Sequence, residues 1–94
     1  MEIKRAHLVE ATAGREKGKL FFVTETEGDY LLLADGKSRR VEAPKRKKRK
    51  HVRIIAETDD RVAAKIRENE KVTNSELRKS IASHCGADNS DQEG

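Results

Sequence analysis

The apolar residues of this chain fall into short clusters, and this spacing constrains the fold more than any other feature. The clusters cover residues 8–9, 20–23, 30–34 and 52–56, and each has the length of a strand rather than of a helix. Because only 34% of the chain is hydrophobic and 40% is charged, any core must be small. The clustering still predicts a folded domain, since a disordered chain lacks such segments.

Turn-forming residues separate these clusters and predict an antiparallel β domain. Glu27-Gly28-Asp29 and Asp35-Gly36 are turn sequences, and Pro44 has no amide to donate to a ladder. Short strands joined by tight turns are typical of a small, twisted barrel, because closure removes the exposed edges of a sheet. The five strands predicted are residues 7–11, 19–26, 30–34, 38–42 and 52–55.

From residue 57 the pattern becomes helical. The acidic segment 58–60 can cap a helix in which Val62 and Ile66 share one face, and this helix should end near Asn69. A second helix follows, with Gly86 as its stop. We therefore expect a barrel over residues 1–56, which includes a basic segment at 44–51, then two short helices over 57–86 and a disordered acidic tail over 87–94.

The start of the second helix is defined by two local motifs. Thr73 and Glu76 have the spacing of a capping box, and Val72 and Leu77 occupy the positions of a hydrophobic staple. Leu77, Ile81 and Cys85 then repeat every four residues, as one apolar face requires.

Charge is distributed unevenly and indicates a polyanionic partner. Residues 1–56 hold 15 Lys/Arg and 8 Asp/Glu, a net charge of +7, whereas residues 57–94 hold 6 and 9, a net charge of −3. With one cysteine the chain forms no internal disulfide, and no segment has the roughly 20 apolar residues of a membrane-spanning helix. These features predict a cytoplasmic protein with no membrane role.

A glycine-containing loop lies between the first two predicted strands. Its sequence over residues 13–19 is Ala-Gly-Arg-Glu-Lys-Gly-Lys, in which Gly14 and Gly18 allow the backbone to approach a phosphate closely. It is not a nucleotide-binding P-loop, because Lys19 is followed by Leu20 and a strand instead of Ser/Thr and a helix. A hairpin turn that merely carries charge is the alternative.

Residues 6–56 resemble a KOW domain. Gly14, Arg15, Glu16, Lys17 and Gly18 match the KOW loop in order, and an apolar strand follows. KOW motifs occur in large-subunit ribosomal proteins and in NusG/Spt5-type elongation factors. The chain is most similar to bacterial KOW proteins, in which a Pro-Lys-rich segment and a short helical tail follow the barrel. This resemblance implies an SH3-like barrel whose loops contact RNA.

A run of six consecutive cations, residues 45–50, follows Pro44. Their mutual repulsion predicts a segment that stays extended or mobile until phosphates neutralise it, with affinity gained from released counterions. Three alternatives are a solvated loop, a nuclear localisation signal and a site for acidic lipid.

Aromatic residues are few. One of Phe21 and Phe22 should face the core and the other should be covered by a tail helix, which leaves Tyr30 as a weak candidate for base stacking. We therefore expect binding through RNA shape and phosphates, with little recognition of bases.

Catalysis has little support, since the three histidines are far apart and Cys85 ends an apolar face. The favoured hypothesis is a non-enzymatic protein, without a cofactor or small-molecule substrate, that binds ribosomal or other structured RNA, with ribosomal proteins as further candidate partners. A protein-interaction module of the transcription or translation machinery is the alternative. The residues predicted to bind RNA are Gly14, Arg15, Lys17, Gly18, Lys19, Arg39, Arg40, Lys45, Arg46, Lys47, Lys48, Arg49, Lys50 and His51.

Overall fold

A five-stranded antiparallel sheet and two helices make up the fold in the computed structural model, which describes residues 2–57 and 61–84. A 3₁₀ turn, Arg49–His51, joins the last two strands. The sheet order is β4-β3-β2-β1-β5. In chain order the strands are β1 (His7–Ala11), β2 (Leu20–Glu27), β3 (Tyr30–Ala34), β4 (Lys45–Lys48) and β5 (Val52–Glu57).

The prediction of a closed barrel is wrong, because β4 and β5 are the two ends of the sheet order and are not paired with each other. β2 lies in the middle of the open sheet, and its first residues pair with β1 while Phe22 and the residues after it pair with β3. A register shift between Val23 and Glu25 interrupts the second ladder. Barrel closure is one way to keep a sheet edge from pairing with another chain. At β4 the edge is short and cationic, and its positive charge opposes such pairing.

The fourth strand was also predicted in the wrong place, since Lys45–Lys48 and not residues 38–42 extends the sheet. The Asp35 carboxylate accepts hydrogen bonds from the amides of Lys37 at 2.9 Å and Arg39 at 2.8 Å. The Val41 amide donates to the Asn74 side chain at 2.7 Å. Because these amides are engaged in a turn and with a helix, this segment does not join the ladder.

Two apolar clusters lie on opposite faces of the sheet, as the period of a strand requires. Phe21 belongs to one and Phe22 to the other, and both are completely buried. We call the first cluster the inner core; it contains Ile3, Val9, Ala11, Phe21, Val23, Leu31, Leu33 and Val52. We call the second the helix-side core; it contains Ala6, Leu8, Phe22, Ala34, Val62, Ala63, Ile66, Val72 and Leu77. The prediction that a helix covers one phenylalanine is confirmed.

The first helix, α1 (Arg61–Arg67), packs Val62 and Ile66 into the helix-side core. The helix ends at Arg67, close to the expected Asn69, which follows it with a left-handed φ of 58°. The Glu70 amide donates to the Lys65 carbonyl at 2.8 Å, and the Asn69 amide donates to the Ile66 carbonyl at 3.2 Å. These two bonds are the pair of a Schellman motif. The predicted cap at 58–60 lies outside the described residues.

The second helix, α2 (Asn74–His84), starts with the predicted capping box. The Glu76 amide donates to the Thr73 hydroxyl at 3.1 Å, and the Thr73 amide donates to the Glu76 carboxylate at 2.9 Å. Val72 and Leu77 are both buried in the helix-side core, which confirms the staple. Cys85, Gly86 and the predicted tail lie outside the described residues.

The helices pack against the sheet and the loop that precedes β4. Gly36 lies so close to α2 that a Cβ atom there would come within 2.2 Å of the Asn74 carbonyl oxygen. The Arg78 guanidinium donates to the Gly36 carbonyl at 2.6 Å, and Arg5 donates to the Ile66 carbonyl at the end of α1. Neither of these helices, the two in the described part of the chain, is long and apolar enough to span a membrane.

Candidate nucleic-acid interface

The loop between β1 and β2, residues 12–19, is a closed turn that presents cations; we call it the basic loop. Gly14 and Gly18 have φ values of 80° and 90°, as a turn of this tightness requires. The Gly18 amide donates to the Ala11 carbonyl at 2.8 Å, and the Ala11 amide donates to the Lys19 carbonyl at 3.0 Å. Arg15, Lys17 and Lys19 are all exposed.

Glu16 is the one residue of the basic loop that turns inward, with 8% of its surface exposed. Its carboxylate accepts hydrogen bonds from the Nε, at 3.2 Å, and the Nη2 of Arg39. The hydrogen bond from Arg39 lowers the pKa of Glu16; burial opposes this effect, and the charges of Arg39, Lys45 and Lys47 reinforce it. Glu16 therefore anchors the basic loop beneath the cations of β4.

One side of β4 faces the basic loop. Lys45 and Lys47 lie opposite Leu33 and Leu31 of β3 and are half-buried. The Lys47 ammonium lies 3.2 Å from the position that a Cβ atom on Gly14 would occupy. The structure thus brings together the loop and the basic run, which are about 30 residues apart in the sequence.

The other side of β4 surrounds Tyr30. The Arg46 guanidinium carbon lies 3.9 Å from the centre of the Tyr30 ring, and the Lys48 ammonium lies 5.9 Å from it. The Arg46 Nε is also 3.3 Å from the Glu27 carboxylate. Arg46 is therefore held between an aromatic ring and an acid, and Lys48 is the freer cation on this side.

Arg49 and His51 have structural contacts. The Arg49 guanidinium donates to the carbonyls of Gly28 at 2.6 Å and Ile3 at 2.7 Å, which ties the 3₁₀ turn to the β2–β3 hairpin and the N-terminal segment. The His51 carbonyl accepts a hydrogen bond from the Thr12 amide at 2.8 Å. Through this bond the 3₁₀ turn also positions the start of the basic loop.

The predicted binding residues thus fall into two groups. Arg39, Arg46 and Arg49 bond to other parts of the protein, and Arg40 faces Glu42 at 3.9 Å on the surface. The remaining cations form no ion pair within residues 2–57 and 61–84. They are Arg15, Lys17, Lys19, Lys45, Lys47, Lys48 and Lys50.

Sequence reasoning missed the anchoring role of Glu16 and the support that Glu27 gives to Arg46. The sequence did offer one indication for Glu16, which is an acidic residue between two cations. A carboxylate does not add to the positive charge of a loop, so its presence there suggests a structural role. Glu27 had no such signal, since its pairing depends on the register between β2, β3 and β4.

No protein-family model matches the chain, and no curated protein matches it either.

Proposed function

We propose that this protein is a non-enzymatic RNA-binding protein of the KOW type, with an SH3-like fold. It contacts ribosomal or other structured RNA mainly through phosphates and acts in the cytoplasm in connection with translation. The strand order, the register shift in β2 and the 3₁₀ turn before β5 are compatible with an SH3-like sheet whose edges remain apart.

The observation that carries this proposal is the close approach of the Lys47 ammonium of β4 to Gly14 of the basic loop. It brings two cationic segments side by side, and the charges of Lys45 and Lys47 act on the Glu16 carboxylate, which Arg39 holds by hydrogen bonds. Strand geometry spaces successive residues on one face of a strand by about 7 Å, so Lys45 and Lys47 present two charges at that spacing beside the basic loop. Such a spacing suits the repeated charges of a nucleic acid backbone.

The electrostatic character of the site sets the expected salt dependence. If about five cations meet phosphates, affinity for RNA should fall on the order of 10² to 10³ between 50 and 200 mM salt. Phosphate contacts position a protein without reading sequence, so different structured RNAs of one length should bind with similar affinity at this face.

A charge-matched pair of variants tests the proposal. Lys45→Gln/Lys47→Gln removes the two cations of β4 that face the basic loop, and Lys71→Gln/Lys79→Gln removes two exposed cations from the helical part. Fluorescence anisotropy with a structured ribosomal RNA fragment should show at least tenfold weaker binding for the β4 pair and little change for the helical pair. Equal losses would reduce the interaction to net charge alone, and the proposed interface would be wrong.

Crosslinking in the native cell identifies the RNA. Ultraviolet crosslinking of the tagged protein, followed by sequencing, should yield reads concentrated at a few ribosomal RNA positions that disappear in the Lys45→Gln/Lys47→Gln variant. Diffuse or absent crosslinks would contradict a ribosomal role.

One observation favours a protein-interaction module as the second candidate. β5 pairs only with β1 among the described strands, so its outer edge is open, and Ile55 on this strand is 42% exposed. An open strand edge can accept a strand from a partner. RNA affinity that disappears at physiological salt, together with a protein partner retained at high salt, would favour this function.

A further inference from the structure

A concavity lies beside Tyr30, at the junction of the β2–β3 turn and the 3₁₀ turn. Its volume is about 410 Å³, within the usual range for small-molecule sites. It is separate from the side of β4 that faces the basic loop, because neither Lys45 nor Lys47 lines it. The lining residues are Asp29, Tyr30, Lys48, Arg49 and Lys50.

The walls of this concavity are fixed by contacts already described. The guanidinium of Arg49 is bonded to two backbone carbonyls, and its amide donates to the Asp29 carbonyl at 2.9 Å. Arg46 stacks on the Tyr30 ring but does not line the concavity. Arg46 thus supports the Tyr30 ring without filling the concavity. A ring that is already held in place loses little conformational entropy when a ligand binds.

The polar groups of the concavity are of both signs. Lys48 and Lys50 are exposed and form no ion pair within the described residues, and the Asp29 carboxylate has no hydrogen-bond partner there. An aromatic surface, two ammonium groups and a carboxylate acceptor correspond to the parts of a nucleotide. Bases stack on aromatic side chains, ammonium groups attract phosphate, and a carboxylate accepts hydrogen bonds from exocyclic amines.

We propose that this concavity binds one unpaired nucleotide of an RNA strand. Its base stacks against Tyr30, its phosphate lies near Lys48 and Lys50, and the Asp29 carboxylate accepts a hydrogen bond from an exocyclic amino group. The site therefore prefers adenine, guanine or cytosine to uracil, which has no such group. This inference rests on the proposed RNA-binding function and adds recognition of a base to a surface otherwise suited to phosphates.

Two RNA ligands separate base recognition from phosphate binding. One is a hairpin with an all-cytosine loop, and the other is a blunt duplex of the same charge that offers no unpaired base. Tyr30→Leu should weaken hairpin binding by roughly 5- to 100-fold, the range expected for loss of one stacked base, and should change duplex binding less than twofold. Tyr30→Phe keeps the ring and should bind both ligands as the unmodified protein does.

Base preference is tested at Asp29. The unmodified protein should bind the cytosine-loop hairpin several-fold more tightly than a hairpin with an all-uracil loop, and Asp29→Asn should reduce that ratio toward one. Because Asp29 lies exposed in a turn, this variant keeps the test available even if Tyr30→Leu unfolds.

The outcomes distinguish the two proposals. If Tyr30→Leu and Asp29→Asn leave hairpin binding and base preference unchanged while the duplex still binds, the nucleotide site is wrong and the phosphate interface stands. If neither RNA binds at 50 mM salt, both are wrong. If cytidine monophosphate shifts the Tyr30 ring resonances while no RNA strand competes with it, the ligand is a free nucleotide, which overturns the assignment to an RNA strand.

Discussion

Replacing Gly36 by alanine should uncouple α2 from the sheet. Gly36 has a φ of 79°, where an alanine costs about 1–2 kcal/mol in backbone strain. The new Cβ would also lie 2.2 Å from the Asn74 carbonyl oxygen, so the first turn of α2 must move. That movement lengthens the 2.7 Å bond from the Val41 amide to Asn74 and the 2.6 Å bond from Arg78 to Gly36.

The expected loss follows from these contacts. Each weakened hydrogen bond is worth about 0.5–1.5 kcal/mol, so strain and lost bonds together should lower the free energy of unfolding by roughly 3 kcal/mol. That is a large fraction of the stability of a small domain. Urea unfolding followed by far-ultraviolet circular dichroism measures it as a lower midpoint at unchanged slope.

Gly28 provides the matched control. Its φ of 60° carries a similar strain, but a Cβ there would meet nothing within 4 Å, so Gly28→Ala should cost only about 1–2 kcal/mol. If Gly36→Ala is no more destabilising than Gly28→Ala, the close packing of α2 on this loop is not a source of stability and the reasoning fails.

Three further predictions follow from individual side chains. Arg49→Lys should lower the free energy of unfolding by about 1–2 kcal/mol, because a lysine ammonium lacks the fixed, planar donors with which the guanidinium reaches both carbonyls. An unchanged midpoint in urea unfolding would contradict this structural role. Arg39 lowers the pKa of Glu16, so this pair stabilises the fold at a pH above the ordinary carboxyl pKa and stabilises it less as the pH falls. Glu16→Gln should therefore reduce the loss of unfolding free energy on acidification. An unchanged loss would exclude the pair as its source. The Lys65 ammonium, which donates to the Glu76 carboxylate at 2.6 Å, and the Thr73 amide lower the pKa of Glu76 from 4.5 to about 2. Its carboxyl resonance should titrate near that value, and the stability that Glu76 gives α2 should be lost between about pH 4.5 and 2. Lys65→Met should raise this pKa, and an ordinary value in the unmodified protein would contradict these contacts.

Local sequence signals predicted the elements whose structure is decided locally. The capping box at Thr73 and Glu76 and the helix end at Asn69 depend on residues within one turn of each other. The first three strands are bounded by turn residues and carry apolar clusters. The fourth strand could not be predicted in this way, because four consecutive cations have low intrinsic preference for a strand.

Tertiary contacts decide where β4 lies. The register against β3 places Lys45 and Lys47 on one side and Arg46 and Lys48 on the other, which separates charges that are adjacent in sequence. Acids from elsewhere lie near both sides, Glu16 below the first pair and Glu27 beside Arg46. None of these pairings is visible in the spacing of the basic run. The expectation of an extended or mobile segment agrees with the extended backbone of Lys45–Lys48, but it did not include the pairing with β3.

The sequence also could not separate the arginines of the candidate site from its lysines, although the two residue types have different contacts. Arg39, Arg46 and Arg49 bond within the protein, whereas the four lysines of residues 45–50 form no ion pair with described residues. A planar guanidinium bonds well to fixed acceptors, and a lysine ammonium is a hydrated charge on a flexible stem. The arginines therefore build the surface and the lysines remain for an external anion. On an open edge the lysines have a second effect, because they oppose pairing with another strand. Neutralising them removes both effects, so loss of RNA binding in a β4 variant is informative only for protein shown to be monomeric.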